Sequence, residues 1–181
     1  MAKAIGMIEF KTVSAGITAA DQMVKAANVE ILEAQVVCPG KYIALITGEL
    51  SAVNAAVETG INTRSEEYID SFVLGNPDES IFAAIYGSAV VEGVSALGVL
   101  ETYDASAIIV AADVAAKTAQ VTLIELRIAK GMCGKSYMLI TGEVAACEVA
   151  IEKAKLSVEG GMFLDSSVIA RPDDQIIKSI V

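Results

Sequence analysis

The chain of 181 residues contains no histidine and no tryptophan, and aromatic residues make up only 5% of it. Without histidine it lacks the usual general base near neutral pH, the Ser-His and Cys-His nucleophile pairs, and the commonest zinc ligand. Basic residues number 13 against 23 acidic ones, so the net charge is −10. This charge, without any basic cluster, argues against a nucleic-acid partner and an anionic membrane surface.

Long uncharged runs and paired cysteines are missing too. The uncharged stretch at the midpoint, Ser80–Val91, has 12 residues, which is short of the roughly 18 that a membrane-spanning helix needs. The N-terminal segment MAKAIGMIE has no basic region leading into an apolar core, and the three cysteines are an odd number. We expect a cytoplasmic protein with free thiols and no membrane partner. The high content of hydrophobic residues, 54%, then favours large interfaces between subunits.

What the sequence does contain is one module written twice. Ala4–Val36 and Ala96–Ile128 share 13 identities in 33 positions at an offset of 92, and Gly40–Glu58 and Gly134–Glu152 share ten in 19 at an offset of 94. A third match, at an offset of 95, joins the segment Asp70–Asp78 to Asp165–Asp173. This duplication predicts two modules, residues 1–90 and 91–181, each a folding unit that packs beside its twin.

Hydrophobic periodicity predicts the same order of elements in each copy, β-α-β-β-α-β followed by a short helix. This order is typical of a ferredoxin-like split βαβ module of the α+β class, with its helices on one face of a sheet. In the first copy Ser51 is predicted to cap the second helix and Gly60 to end it. The short helix is predicted to open at Pro77.

The loop between the second and third strands differs between the copies. It reads Cys-Pro-Gly-Lys at 38–41 in the first and Lys-Gly-Met-Cys-Gly-Lys at 130–135 in the second, which is two residues longer. Neither loop has the full spacing of a phosphate-binding P-loop. A thiol in such a loop is accessible, so Cys38 and Cys133 both stay under consideration, although a free cysteine most often acts as a small hydrophobe. Cys147 aligns with Val53 on an apolar helix face and is expected in the core.

Two charged features recur in both copies. Lys25 and Lys117 each follow an aspartate by four residues, Asp21 and Asp113, on the first helix of their copy. Such a pair is ordinarily a solvated ion pair, but the surrounding alanines favour a contact surface. The second feature is a strand glutamate, Glu9 and Glu101, which is expected to be solvated rather than catalytic.

The AADQMVKAANV segment, the Gly-Lys loop, the ITGE turn, the DS-V-L/I run before proline and the tandem duplication together resemble the bacterial microcompartment shell proteins of the tandem-domain class. The Cys-Pro-Gly-Lys loop makes the chain most similar to the PduT type of that class. The resemblance spans nearly the whole chain, and its motifs occur twice.

This resemblance implies a structural, non-enzymatic homotrimer whose six modules form a pseudo-hexameric tile with a central pore. The loop between the second and third strands would line the pore, and tiles would meet other shell proteins edge to edge. By this resemblance to the PduT type, Cys38 would bind an iron–sulfur cluster of the [4Fe–4S] kind, shared by three subunits, with an encapsulated or cytosolic redox enzyme as electron partner. The implied pore residues are Cys38, Pro39, Gly40, Lys41, Met132, Cys133 and Gly134, and the implied edge residues are Lys25, Lys117 and Arg171.

Three functions therefore stay open at the level of sequence. The first is a shell tile with a redox cluster at its pore. The second is a shell tile whose pore passes small metabolites and whose Cys38 carries no metal, since glycine and Lys41 are equally suitable pore lining. The third is a ligand-binding or enzymatic duplication of the same architecture, which lacks an acid–base constellation to support it.

Overall fold

A computed structural model describes residues 4–91, 93–158 and 160–180 of the chain. Contacts between residues divide the chain into two compact units, Met1–Pro77 and Asp78–Val181. None of the helices in these described ranges is long and apolar enough to cross a membrane.

The first unit is a four-stranded sheet covered by two helices. Its strands lie in the order β2-β3-β1-β4, and each strand is antiparallel to its neighbours. Because β1 and β2 run the same way on either side of β3, this is the split βαβ arrangement. The elements are β1 (Ala4–Phe10), α1 (Val13–Ala26), β2 (Val29–Val37), β3 (Lys41–Gly48), α2 (Leu50–Thr63) and β4 (Tyr68–Gly75).

The second unit repeats this sheet, in the order β6-β7-β5-β8, and adds a short helix at each end. Its elements are α3 (Ser80–Ile85), β5 (Ala96–Thr102), α4 (Ala105–Thr118), β6 (Val121–Arg127), β7 (Ser136–Gly142), α5 (Val144–Ser157), β8 (Phe163–Ala170) and α6 (Asp174–Ile180). The predicted fold class and order of elements are confirmed.

The core of the first unit lies between the sheet and its helices. Small residues let the helices lie close to the strands: a Cβ at Gly6 would lie 2.6 Å from Cγ1 of Val53 on α2. Gly98, at the same place in β5, would meet Ile140 and Ile151 in the same way. The buried residues of this core are Ala4, Ile8, Phe10, Ala15, Ala19, Ala20, Met23, Ala44, Ile46, Val53, Ala56 and Val57.

The predicted limits of the second helix are wrong at both ends. Helix α2 begins at Leu50 after Glu49, which makes no side-chain capping bond, so Ser51 lies inside the helix. Gly60 does not end it, because the helix continues to Thr63 with Gly60 packed against Met23 and Ile8. The glycine is there for close packing rather than for termination.

The helix α3 belongs structurally to the second unit although it follows β4 in the chain. It packs on β6 and α4, so the contacts divide the chain at Pro77 rather than at residue 90. Its helical residues begin at Ser80, because the carboxylate of Asp78 accepts a hydrogen bond from the Ser80 amide at 2.9 Å and forms the turn that precedes the helix.

Candidate functional site

The first candidate loop is a tight hairpin that holds Cys38. Strand β2 ends at Val37 and β3 begins at Lys41, and these two residues pair across the hairpin. The Gly40 amide donates to the Val37 carbonyl at 2.9 Å, and Gly40 has a φ of 93°, which L-residues rarely adopt. The Cys38 thiol is therefore presented by a short, hydrogen-bonded turn, where it is half-buried.

The base of this hairpin is joined to the sheet by an ion pair. Lys41 Nζ lies 2.7 Å from Glu9 Oε1, and the side chains are 29% and 8% exposed. Glu9 is buried because β1 is a central strand with all seven residues buried. The expectation that Glu9 is solvated is therefore wrong. The same glutamate and Gly-Lys pair recur in the second copy, so their recurrence alone does not predict this contact.

The second loop is longer and has a different conformation. It runs from residue 128 to residue 135, between β6 and β7, and four of its residues have positive φ: Ala129, Gly131, Cys133 and Gly134. Cys133 is exposed. In the described part of the chain Glu101 and Lys135 form no ion pair equivalent to that of Glu9 and Lys41. The two loops therefore present their thiols differently.

The three thiols have three environments. Cys147 is fully buried in α5, where burial, followed by the Glu143 carboxylate, raises the pKa of its thiol. Its predicted place in the core is confirmed. Cys38 is half-buried and Cys133 is exposed, so these two are the accessible thiols. Within the described ranges no three His, Cys, Asp or Glu side chains come together in a way that could hold a metal ion.

Two of the predicted edge residues, Lys25 and Lys117, lie on helices, one in each unit, and Arg171 lies between β8 and α6. Lys25 Nζ lies 2.6 Å from Asp21 Oδ2, and Lys117 Nζ lies 2.8 Å from Asp113 Oδ1. Both i, i+4 pairs are confirmed, but they differ in burial, because Asp113 is buried and Asp21 is exposed. Arg171 is exposed after β8, with its amide donating to the Ser95 carbonyl at 3.0 Å.

A cluster that the sequence did not point to lies on β6 and β7. The Tyr137 hydroxyl donates to Glu125 Oε2 at 2.7 Å, and Arg127 donates to Oε1 of the same carboxylate at 2.6 Å. Burial, and then the hydrogen bond to Glu125, raise the pKa of Tyr137 to about 12. Arg127 and Tyr137 are cross-strand partners, so the cluster follows from strand register, which the sequence pattern alone did not specify.

These observations define a tandem α+β protein whose two modules share one topology and carry a Gly-Lys loop between their second and third strands. The BMC domain family matches residues 4–77 and 96–172, which together span most of the chain. The chain therefore belongs to the BMC domain family and contains the domain twice.

Similar proteins match the chain over most or all of its length. The bacterial microcompartment shell protein PduT of Citrobacter freundii is 37% identical over 100% of this chain and 99% of its own. A crystal structure of a microcompartments protein from Desulfitobacterium hafniense is 41% identical, with a TM-score of 0.94 over 98% of this chain and 99% of its own. A fused permuted hexameric shell protein of the RMM microcompartment, at 23% identity, shares the fold, with a TM-score of 0.64 over 86% of this chain and 83% of its own.

Proposed function

We propose that this chain is a structural shell protein of a bacterial microcompartment, and that three copies form a pseudo-hexameric tile with a central pore. The proposal extends to the pore, where Cys38 of each subunit binds a shared iron–sulfur cluster that carries electrons across the shell. The observation that carries the cluster proposal is the accessible thiol of Cys38 in a short hairpin whose base is bound to the sheet by the Glu9 ion pair.

The structural role is supported by similarity along the entire chain. The full-length relative PduT is a shell protein, and both BMC domains are present here without a further domain between the matched ranges. We infer that the tile lies in the microcompartment shell and contacts other shell proteins at its edges. Its role is structural rather than enzymatic.

The cluster proposal depends on symmetry. Iron–sulfur clusters are held by cysteine thiolates, typically four. One subunit offers one thiol in the first loop, but a threefold axis through that loop supplies three equivalent thiolates, and the remaining iron would take a ligand from elsewhere. The Cys38 side chain thus fits as one of the three thiolates that the trimer would supply to a cluster. A bound cluster supplies one-electron transfer, for which an encapsulated or cytosolic redox enzyme is the proposed partner.

The local structure supports Cys38 over Cys133 as the ligand. The Cys38 turn has three residues, Cys38 to Gly40, and an internal hydrogen bond between Gly40 and Val37. Cys133 lies in a loop of eight residues with four positive φ values. A ligand that must meet its symmetry mates within a cluster needs a defined position, because a preorganised site loses less conformational entropy on binding. We propose Cys38 as the ligand and Cys133 as a thiol near the same pore.

The alternative is a pore that conducts small metabolites with Cys38 unmetallated. Gly40, at the end of the Cys38 turn, is suitable lining for such a pore. A metal cluster and an open pore cannot occupy the same axis. The two functions therefore predict different compositions for the purified trimer.

Anaerobic purification followed by iron and acid-labile sulfide analysis per trimer distinguishes the two functions. We expect stoichiometric iron and sulfide with broad visible absorption in the wild type, loss of both in Cys38→Ala, and retention in Cys133→Ala. Cys147→Ala is the control for removal of a buried thiol. A colourless wild type after reconstitution with iron and sulfide would contradict the cluster and favour the metabolite pore.

A further inference from the structure

The two copies of the module differ in how their equivalent helices are buried. Helix α3 packs on β6 and α4, and its Ile81 is fully buried. Helix α6 is its equivalent at an offset of 95, and it contains no buried residue; Ile176, which corresponds to Ile81, is 50% exposed. Its last residue, Ile180, packs partly on a cluster of its own unit. Helix α6 therefore exposes Ile176, because it lacks a surface like that on which α3 packs.

The first unit carries the complementary surface without a helix on it. Ile17 on α1 and Ile31 on β2 are 54% and 45% exposed. Their equivalents at an offset of 92, Ile109 on α4 and Leu123 on β6, are 0% and 1% exposed. We call the exposed set Ile17, Asp21, Val24 and Ile31 the α1/β2 face.

A polar contact distinguishes the two copies in the same way. In the second unit, the amide of Asp78, just before α3, donates to Asp113 Oδ1 at 2.8 Å. Asp21 is the equivalent of Asp113, and its contacts with Lys25 and Gln22 both use Oδ2. Oδ1 of Asp21 takes no part in these two contacts. The equivalent atom in the second unit, Oδ1 of Asp113, is the one that accepts from the Asp78 amide.

The start of α6 has the same local geometry as the start of α3. The carboxylate of Asp173 accepts a hydrogen bond from the Gln175 amide at 2.9 Å, as that of Asp78 does from the Ser80 amide. The Ile176 and Ile81 amides donate in turn to the Asp173 and Asp78 carbonyls. Helix α6 is thus formed as α3 is, and what it lacks is its packing surface.

We propose that the α1/β2 face binds α6 of a second copy of this chain, in the way that α4 and β6 bind α3. Ile176 then covers Ile17 and Ile31, and the amide of Asp173 donates to Asp21. The two surfaces are different, so the contact is head to tail, and it closes into a ring when the rotation between subunits allows. This inference rests on the proposed trimer and names the contact through which the trimer closes.

Substitution of the central side chain tests the contact. We expect Ile176→Asp to convert the trimer to smaller species in analytical ultracentrifugation, because a carboxylate is costly to desolvate in an apolar contact. The matched control is Val149→Asp, on α5, since Val149 is also 50% exposed and lies outside the proposed contact. Thermal unfolding followed by circular dichroism verifies that each variant is folded.

Cross-linking tests the geometry directly. In a Cys38→Ser, Cys133→Ser background, we expect Asp21→Cys combined with Asp173→Cys to form disulfides between subunits under mild oxidation, whereas neither single variant forms them. This contact would be overturned, and the proposed trimer left intact, if the wild type is a trimer, Ile176→Asp is a trimer as well, and the double-cysteine variant forms no cross-link. A wild type that is monomeric at all concentrations would overturn the proposed trimer itself.

Discussion

At the scale of single residues, the ion pair of Glu9 with Lys41 connects the interior of the first sheet to the hairpin that presents Cys38. Lys41 is the first residue of β3 and follows the turn directly. The ammonium group of Lys41 is therefore paired with the carboxylate of Glu9 on β1. This pairing orients the base of the turn, and it makes the loop of the first unit different from that of the second.

We predict that Glu9→Gln lowers the free energy of unfolding by about 1.5–3 kcal/mol, because it replaces a charge-assisted hydrogen bond in a buried position and leaves Lys41 without its counter-charge. Urea unfolding of the isolated protein measures the change. Glu101→Gln is the matched control, since the equivalent glutamate forms no such pair in the described part of the chain. Equal effects of the two substitutions would contradict the structural role assigned to Glu9.

A second residue-scale prediction concerns Tyr137. Its pKa is about 12 in the folded chain against an ordinary value of 10.0. The neutral phenol is favoured by folding, so its contribution to stability is fully present below pH 10.0 and is lost as the pH rises through about 12. We expect the difference in unfolding free energy between wild type and Tyr137→Phe to be constant below pH 10. Above pH 10 the unfolding free energy of the wild type should fall relative to that of Tyr137→Phe.

Glu125→Gln provides the companion measurement for Tyr137. The substitution removes the carboxylate charge that accepts the phenol hydrogen bond, and spectrophotometric titration should show a lower pKa for Tyr137. An unchanged titration would mean that burial alone sets this pKa.

At the scale of elements, the helices differ in how they begin. Asp104 caps α4 by accepting from the Ala107 amide at 2.7 Å, and Thr12 caps α1 by accepting from the Ala15 amide at 3.4 Å. Glu49 and Glu143 precede α2 and α5 without a side-chain cap. The helix that follows the first strand of each sheet, α1 or α4, is thus capped by a side chain, and the next helix, α2 or α5, is not.

We predict that Asp104→Ala lowers stability by about 1–2 kcal/mol and Thr12→Ala by about 0.5–1 kcal/mol, since the shorter capping bond of Asp104 has a charged acceptor. Thermal unfolding measures both. Glu143→Ala is the control at an uncapped helix start and should have the smallest effect of the three. A large effect of Glu143→Ala would show that the glutamate has a role other than capping.

The elements themselves could be predicted from sequence, and their ends and partners could not. The alternation of apolar residues in β1 and the helical spacing on α1 depend on local geometry, so the pattern was sufficient. Gly60 was misassigned because a residue typical of helix ends also occurs inside a helix where packing requires a small side chain, and Ser51 because the helix begins one residue earlier, at Leu50. Burial of Glu9 and packing of α3 on β6 depend on tertiary contacts, which no local pattern contains.

At the scale of the whole molecule, duplication within one chain allows the two copies to diverge while keeping one topology. The first copy has a short cysteine hairpin, and the second has a loop of eight residues between β6 and β7. A tile built from identical single domains would present six equal loops, whereas three tandem chains present two alternating sets of three. In a tile of six modules, a set of three equivalent loop thiols rather than six is therefore available to the tandem form and not to six identical domains.

Edge-to-edge assembly gives the last prediction, which concerns Lys25 and Lys117. Each lysine forms an i, i+4 pair with an aspartate. The exposed pair of Lys25 contributes only about 0.3–0.5 kcal/mol to a helix, and the buried Asp113 keeps its hydrogen bond from the Asp78 amide when Lys117 is removed. We therefore expect Lys25→Ala with Lys117→Ala to leave folding and trimer mass almost unchanged, while flat sheets of tiles disappear from electron micrographs. Lys153→Ala, at an exposed lysine of α5, is the control. Sheets that persist in the double variant would contradict an edge role for these lysines without affecting the proposed pore, because the two functions depend on different residues.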